Sequence, residues 1–476
     1  MKRIMHTVLF VLVLASMLCP SAFAENHDYV LDTTDSTKRV PIPKTYEVSQ
    51  VIYNLGNNEF LNQAEDIFID KNDYIYVADT GANRIVMLEP SGVFYRDFKG
   101  DGQINFSAPT GVYVDDDGDI FVADTGNSRV CHMTSEGVFV EEFIRPVSEL
   151  LDDTFTFTPN KVFVSPTGLL YVIKGQNFLS IDANNDFQGY VGQTEVGFDL
   201  RRWLVRMFAT AEQKAKTAKV LPESYSNFVV DSSGMIYATT LGTSSQIRKI
   251  NSVGNNIFPT KVYGEPVADT STGLTGAPLF VDIAVDENGI VSVLEQKGGK
   301  VYQYNQEGEL LTAFGGKGTW KGVFDLPVSL AQNSEGKLYV LDRTLNNIQV
   351  FSPTMFVQLI KQAVTDYSNG KYDETLDTWN QVLKIDANYT LAHQGIGKVY
   401  IKEMQWEDAM QEYRLVEDRS GYSNAYGEHT HDIFRDNFTV VVIILVLLIT
   451  AIILLYTRLK KLADKILEGE IKNEHV

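Results

Sequence analysis

A mainly β fold, a six-bladed β-propeller followed by a small α-helical domain and one transmembrane helix, is predicted by three observations on this 476-residue chain. The stretch Ile75 to Val86, IYVADTGANRIV, returns 45 residues later as IFVADTGNSRV, starting at Ile120. Past residue 353 the pattern changes to a helical one that matches itself at a shift of 34 residues. Phe438 to Tyr456 then runs for 19 residues without a charge, long enough to span a bilayer.

The first repeat reads as strands around turns. Ile67 to Asp70 leads through Lys71-Asn72-Asp73 into Tyr74 to Ala78; Asp79 to Asn83 turns the chain into Arg84 to Leu88, and Pro90-Ser91-Gly92 turns it again into Val93 to Phe98. Alternating β-branched and aromatic runs between Asp, Asn and Gly turns are antiparallel strands, four to a unit. A four-stranded unit at this period is a propeller blade. Aligning the aromatic of the second strand finds degenerate copies at Tyr76, Phe121, Tyr171, Tyr237, Ser292 and Tyr339, spaced by 45, 50, 66, 55 and 47 residues. That makes six blades. Glu47 to Leu55 is an outer strand without a blade of its own, and the sixth copy ends at Pro353 before its outer strand. The N-terminal strand is therefore expected to complete the last blade, closing the ring without a bare sheet edge.

Residues 1–24 have a basic start, an apolar run and small residues at Ala22 and Ala24, and read as a cleavable signal peptide. Cys131 is then the one cysteine left, expected as a buried core thiol in a protein with no internal disulfide. The formal charge of −20 disfavours nucleic acid and anionic head groups, and favours solubility, cations or neutral ligands. The membrane is met through one helix alone. Arg458, Lys460, Lys461 and Lys465 follow that helix, so the positive-inside rule places a cytoplasmic tail at 457–476 and everything before the span outside the cytoplasm.

The remaining boundaries follow in order. Residues 25–45 are an extended lead-in, 46–353 the propeller, 354–436 the helical repeats with a juxtamembrane segment, and 438–456 the span. An insertion at 197–221 holds a basic amphipathic helix containing Trp203 and Arg206. It either packs on the ring and balances charge, or serves as a lid or docking element for an acidic partner. In 356–413, Gly370 aligns with Met404, Tyr372 with Trp406, Thr375 with Ala409 and Trp379 with Tyr413. These segments resemble tetratricopeptide repeats, which implies paired helices and a groove for a protein partner, with Tyr372, Trp379 and Trp406 as its aromatic candidates.

VDDDGDIFVADTGNSRV with a following EGVF resembles NHL repeats, a resemblance that covers about 300 residues and is most specific in blades one and two. It implies a binding platform more often than an enzyme. Function must then come from a site. Aligning the innermost strands puts Asp66, Gly111, Lys161, Asn227, Asp282 and Ser329 at one position, with Glu65 and Asn160 among the residues just before it. Glu65, Asp66, Asn160, Asn227 and Asp282 are therefore candidates to converge at one end of the channel. Such an oxygen-rich set suits Ca2+ or another divalent cation, or sugar hydroxyls, unless it merely binds water and turns backbone.

The same pattern resembles the gluconolactonase branch of six-bladed propellers, which implies a divalent metal polarising a lactone carbonyl. Glu65, Asn160, Asn227 and Asp282 fall in the corresponding blades. The Asn-Gly and Asp-Gly pairs of that family are absent, and Lys161 beside Asn160 brings a competing positive charge. Zinc-dependent amidating lyases need several histidines, whereas the ring holds only His132. His429 and His431 read as solvated juxtamembrane residues. No catalytic residue is assigned.

The expectation is a non-enzymatic, membrane-tethered extracytoplasmic scaffold of a bacterial envelope that engages a protein partner or ligand. Its resemblance to other bacterial proteins joining such blades, helices and an anchor implies an accessory role beside membrane transport components, such as an ABC-type carbohydrate uptake system. The alternatives are a metal-dependent lactonase, with a carbohydrate or lactone ligand, and an extracytoplasmic sensor acting through its short tail.

Overall fold

The structure is a computed structural model and describes residues 28–473 apart from 33–36, 57–58, 101, 103, 149–150, 152–154, 176, 193–223, 243 and 269–274. The segment read as a signal peptide, and Trp203 and Arg206 in the insertion, lie outside the described residues. Two compact units emerge, residues 1–365 and 366–476.

The first unit opens with β1 (Tyr29–Leu31), β2 (Arg39–Pro41) and β3 (Tyr46–Ile52). Blade one is β4 (Asp66–Ile69), β5 (Ile75–Asp79), β6 (Arg84–Leu88) and β7 (Phe94–Phe98). Blade two is β8 (Gly111–Val114), β9 (Ile120–Asp124), β10 (Arg129–Met133) and β11 (Phe139–Phe143). Blade three is β12 (Pro159–Val164), β13 (Leu170–Lys174), β14 (Asn177–Ile181) and β15 (Phe187–Tyr190). Among the described residues blade four has three strands, β16 (Tyr225–Val230), β17 (Ile236–Thr240) and β18 (Ile247–Ile250), followed by a ribbon of β19 (Val267–Ala268) and β20 (Thr275–Gly276). Blade five is β21 (Phe280–Val285), β22 (Val291–Glu295), β23 (Lys300–Tyr304) and β24 (Leu310–Gly315). Blade six is β25 (Pro327–Gln332), β26 (Leu338–Asp342) and β27 (Asn347–Pro353), and β3 pairs antiparallel with β27 as its outer strand. The ring thus closes as the strand pattern predicts.

The lead-in region does more than extend. β1 and β2 form a hairpin that continues the sheet of blade five through Tyr29 opposite Ala313. Asp28 holds it down, accepting hydrogen bonds at Oδ2 from Thr45 N at 2.5 Å and Thr45 Oγ1 at 2.6 Å.

Strand alternation builds the core between blades. Ile75 and Val77 on β5 pack with Leu341, Ile348 and Val350 of blade six, while Tyr76 and Ala78 pack with Val112, Val122 and Cys131 of blade two. Ser292, standing where other blades carry an aromatic, is buried and accepts a hydrogen bond from Gln303 Nε2 at 2.8 Å. The VADTG turns are structural. Asp79 is fully buried, accepts from Asn62 N at 2.6 Å and pairs with Arg84 Nε at 2.8 Å; Asp124 does the same with Ser107 N and Arg129 Nε. The guanidinium of Arg84 continues to Asp97 and Glu59, so it braces its own blade rather than a neighbouring one. Blade-to-blade ties come instead from Thr80, which donates to Pro109 O at 2.7 Å, and Thr125, which donates to Pro159 O at 2.6 Å.

α1 (Met355–Ser368) leaves blade six and spans the border between the units. The second unit continues with α2 (Tyr372–Ile385), α3 (Thr390–Lys402), α4 (Trp406–Leu415), α5 (Arg419–Asp436) and α6 (Phe438–Asn473). Glycines let these helices approach closely. A Cβ on Gly395 would lie 2.3 Å from Trp379 Nε1, and one on Gly421 would lie 2.3 Å from the Tyr413 ring. In α6, Phe438–Lys465 is a 28-residue stretch whose most apolar 18 residues have a mean hydropathy of 3.4 and are nowhere buried, long and apolar enough to cross a membrane.

Candidate functional site

The six innermost strands, β4, β8, β12, β16, β21 and β25, surround the central channel, and a local irregularity aims their side chains. In blades three to six the register against the second strand shifts by one residue at Asn160, Ser226, Val281 and Val328. Each such bulge leaves one residue unpaired and re-aims the next. The next residues are Lys161, Asn227, Asp282 and Ser329.

These four form one network with Asp66 of blade one. Lys161 Nζ lies 2.6 Å from Asp66 Oδ1. Ser329 Oγ lies 3.0 Å from Asp66 Oδ1 and 2.6 Å from Asp282 Oδ2, and Asn227 Nδ2 donates to Asp282 Oδ1 at 2.6 Å. Backbone N–H groups complete the set: Val112 N donates to Asp66 Oδ2 at 3.0 Å, and Leu330 N to Asp282 Oδ2 at 2.7 Å. Asp66, Asn227, Asp282 and Ser329 are all buried. Blade two contributes Gly111, where a Cβ would come within 2.4 Å of Asn160 O. Only the missing side chain lets β8 and β12 approach so closely.

The electrostatics follow from the proton count. Ser329 has one hydroxyl proton and two carboxylate neighbours, so one of its two contacts lacks a proton when both acids are ionised. Burial pushes the Asp282 carboxyl up to about 6, with Lys161 opposing the shift and Asp66 adding to it. Burial works against the Lys161 charge, yet Asp66 and Asp282 outweigh it and hold its pKa above the ordinary lysine value.

Two of the five candidates stand apart. Glu65 turns outward to Arg343 Nη1 at 2.7 Å, and Asn160 accepts from Gly175 N at 2.8 Å, because the bulge points its side chain at the turn after β13. Lys161 and Ser329 were legible in the same aligned column as Asp66, but nothing in the sequence marked them as the groups that join its acids. The set does not fit a divalent cation. An ammonium already occupies Asp66, the remaining carboxylate oxygens accept from serine, asparagine and backbone donors, and Asn227 Oδ1 accepts from Phe228 N at 2.8 Å. Among the described residues, no cluster of three or more His, Cys, Asp or Glu side chains is placed to hold a metal.

The other candidates resolve simply. His132 stacks on Phe121 at 4.3 Å and lies 3.1 Å from both Glu141 and Asp119. Cys131 is fully buried, and burial pushes its thiol up to about 12. Trp379 is buried among the helices of the second unit, so its indole packs inside rather than facing a partner. Trp406 is half-buried and donates to Asp432 Oδ2 at 2.7 Å, and Tyr372 packs its ring near Tyr367 at 5.7 Å.

Below the polar ring the channel holds a cavity of about 210 Å³ lined by Phe68, Tyr113 and Phe163 from blades one to three. The equivalent positions of blades four to six are Val229, Ala284 and Ala331, which leave that half of the channel unfilled.

A mainly β propeller with a paired polar ring across its channel, followed by helices, is the class that fold and site define. Residues 106–133 match the family model of the NHL repeat. No curated protein matches the chain. Among solved structures, a streptogramin B lyase is 12% identical over 69% of this chain and 87% of its own, with a TM-score of 0.39. Virginiamycin B lyase from Staphylococcus aureus is 14% identical, covering 64% and 88%, with a TM-score of 0.36. A protein proposed to be a gluconolactonase is 10% identical, covering 69% and 98%, with a TM-score of 0.40.

Proposed function

We propose that this protein is a membrane-anchored, extracytoplasmic binding platform of a bacterial envelope rather than a hydrolase. The observation that carries the reading is the mutual pairing of Asp66, Lys161, Asn227, Asp282 and Ser329. A general base or a Lewis-acid site needs an open position for substrate. Here the acids are bound to one another's partners, and what remains is a rigid disc with exposed turns. The second unit, read as tetratricopeptide-like, offers a helical surface to a protein partner, and a membrane transport component such as a carbohydrate uptake system is the partner class proposed.

The apolar stretch Phe438–Lys465 supports the anchor, and the basic residues after it support a cytoplasmic tail. The buried Cys131 makes a clean labelling test available. Glu136→Cys on the propeller surface and Lys460→Cys in the tail are compared with a membrane-impermeant maleimide on intact cells. Labelling of the first alone supports the topology; labelling of the second alone contradicts it. A lactone-hydrolysis assay on the full chain in detergent tests the chemistry, and turnover lost on Asp282→Ala would overturn the platform reading.

A further inference from the structure

We propose that the propeller binds a small organic amine with an apolar or aromatic body, in a funnel entered from the face where its innermost strands end. The 210 Å³ channel cavity is the throat of this funnel. A larger hollow of about 750 Å³ lies on the turns after the innermost strands, and Ile69, Val285 and Gln332 line both. At its other end the throat is lined by Lys161 and Asp282 of the polar ring. The shared lining gives the throat an entrance on this face.

The chemistry changes along the funnel. In the throat the half-buried rings of Phe68 and Tyr113 lie 5.2 Å apart and those of Tyr113 and Phe163 4.7 Å apart, in a cavity also lined by Val229, Ala284 and Ala331 of blades four to six. Rings gathered about an unfilled space accept another apolar or aromatic body. Gln332, at the junction, keeps its Oε1 buried without a hydrogen-bond partner. The outer hollow is acidic: Asp70, Asp73, Asp286, Glu287 and Glu335 line it against Lys71 and Lys361. Lys361 on α1 already lies 3.5 Å from Asp286 and sits over the Tyr46 ring, so its charge is engaged on the wall. An occupant with its apolar end in the throat carries its charge at this rim, and a cation is the charge that complements it. The site stands on the first unit, the propeller with the start of α1, and does not depend on the scaffold role or on the membrane.

The test uses the full chain in detergent, with phenethylamine as probe and phenylacetate and glucose as controls, following melting temperature and affinity at low and high salt. The expected result is saturable stabilisation by phenethylamine alone, weaker at high salt. Ala284→Leu, which fills the throat, weakens the probe by about tenfold or more, as loss of an apolar pocket does. Glu287→Gln, an exposed position that does not endanger folding, weakens phenethylamine by about threefold through the lost rim charge. Phenylacetate or glucose stabilising as well as the amine would overturn the charge assignment. Amine binding unchanged in both variants would overturn the site.

Discussion

The ammonium of Lys161 lies 2.6 Å from the carboxylate of Asp66, so blade three is tied to blade one across the position where blade two has only Gly111. Lys161→Met leaves Asp66 and Asp282 in a buried ring with no counter-ion. Breaking a buried pair this way costs about 3–5 kcal/mol. Urea unfolding of the variant should show a loss of that size, and a loss below about 1 kcal/mol would mean that water reaches and screens the ring.

The raised Asp282 pKa fixes the sign of a pH effect. Its proton is held more tightly in the folded chain than in the unfolded one, so ionisation works against folding. That penalty is fully present above pH 6 and is relieved as the pH falls toward the ordinary value of 3.8. Going from about pH 7 to about pH 5, the wild type should gain about 1 kcal/mol relative to Asp282→Asn, the amount a shift of this direction supplies at about 1.4 kcal/mol per unit. Parallel pH profiles for the two proteins would contradict it.

Ring closure predicts unequal effects of two truncations. A chain starting at residue 53 lacks β3 and uncovers Ile348, Val350 and Phe351 of blade six. It should lose cooperative melting and aggregate through the bare edge. A chain starting at residue 44 keeps β3 and loses the hairpin with its Asp28–Thr45 bonds, a cost of about 1–3 kcal/mol for the groups left unpaired. Equal behaviour of the two would show that β3 does not close the ring.

Two glycines in the helical unit should respond in opposite directions. Gly395→Ala drives a methyl into the Trp379 indole and should destabilise the unit by about 1–3 kcal/mol, read by Trp fluorescence on melting. Gly427, within α5, has nothing within 4 Å of an added Cβ, so Gly427→Ala should stabilise by about 0.5–1 kcal/mol. Matching signs would contradict the packing.

The blades and the closure were legible in the sequence because a period-two pattern and turn residues are local signals, and an outer strand missing at one end and left over at the other is a topological one. The column holding Asp66, Lys161, Asn227, Asp282 and Ser329 was legible for the same reason. The pairing within it was not, since it depends on bulges at Asn160, Ser226, Val281 and Val328 that no turn residue announces. Glu65 and Asn160 were misleading neighbours: residues one position earlier face away from the axis. The hairpin on blade five escaped notice because three-residue strands carry too little alternation to read.

On the proposed reading the polar ring is a structural network of a binding platform and not a metal site. A calcium titration of the full chain in detergent, following melting temperature for wild type and Asp282→Ala, tests it most directly, because a specific ligand must raise apparent stability by mass action. No saturable shift is expected in either protein. A saturable rise in the wild type that disappears in Asp282→Ala would contradict it.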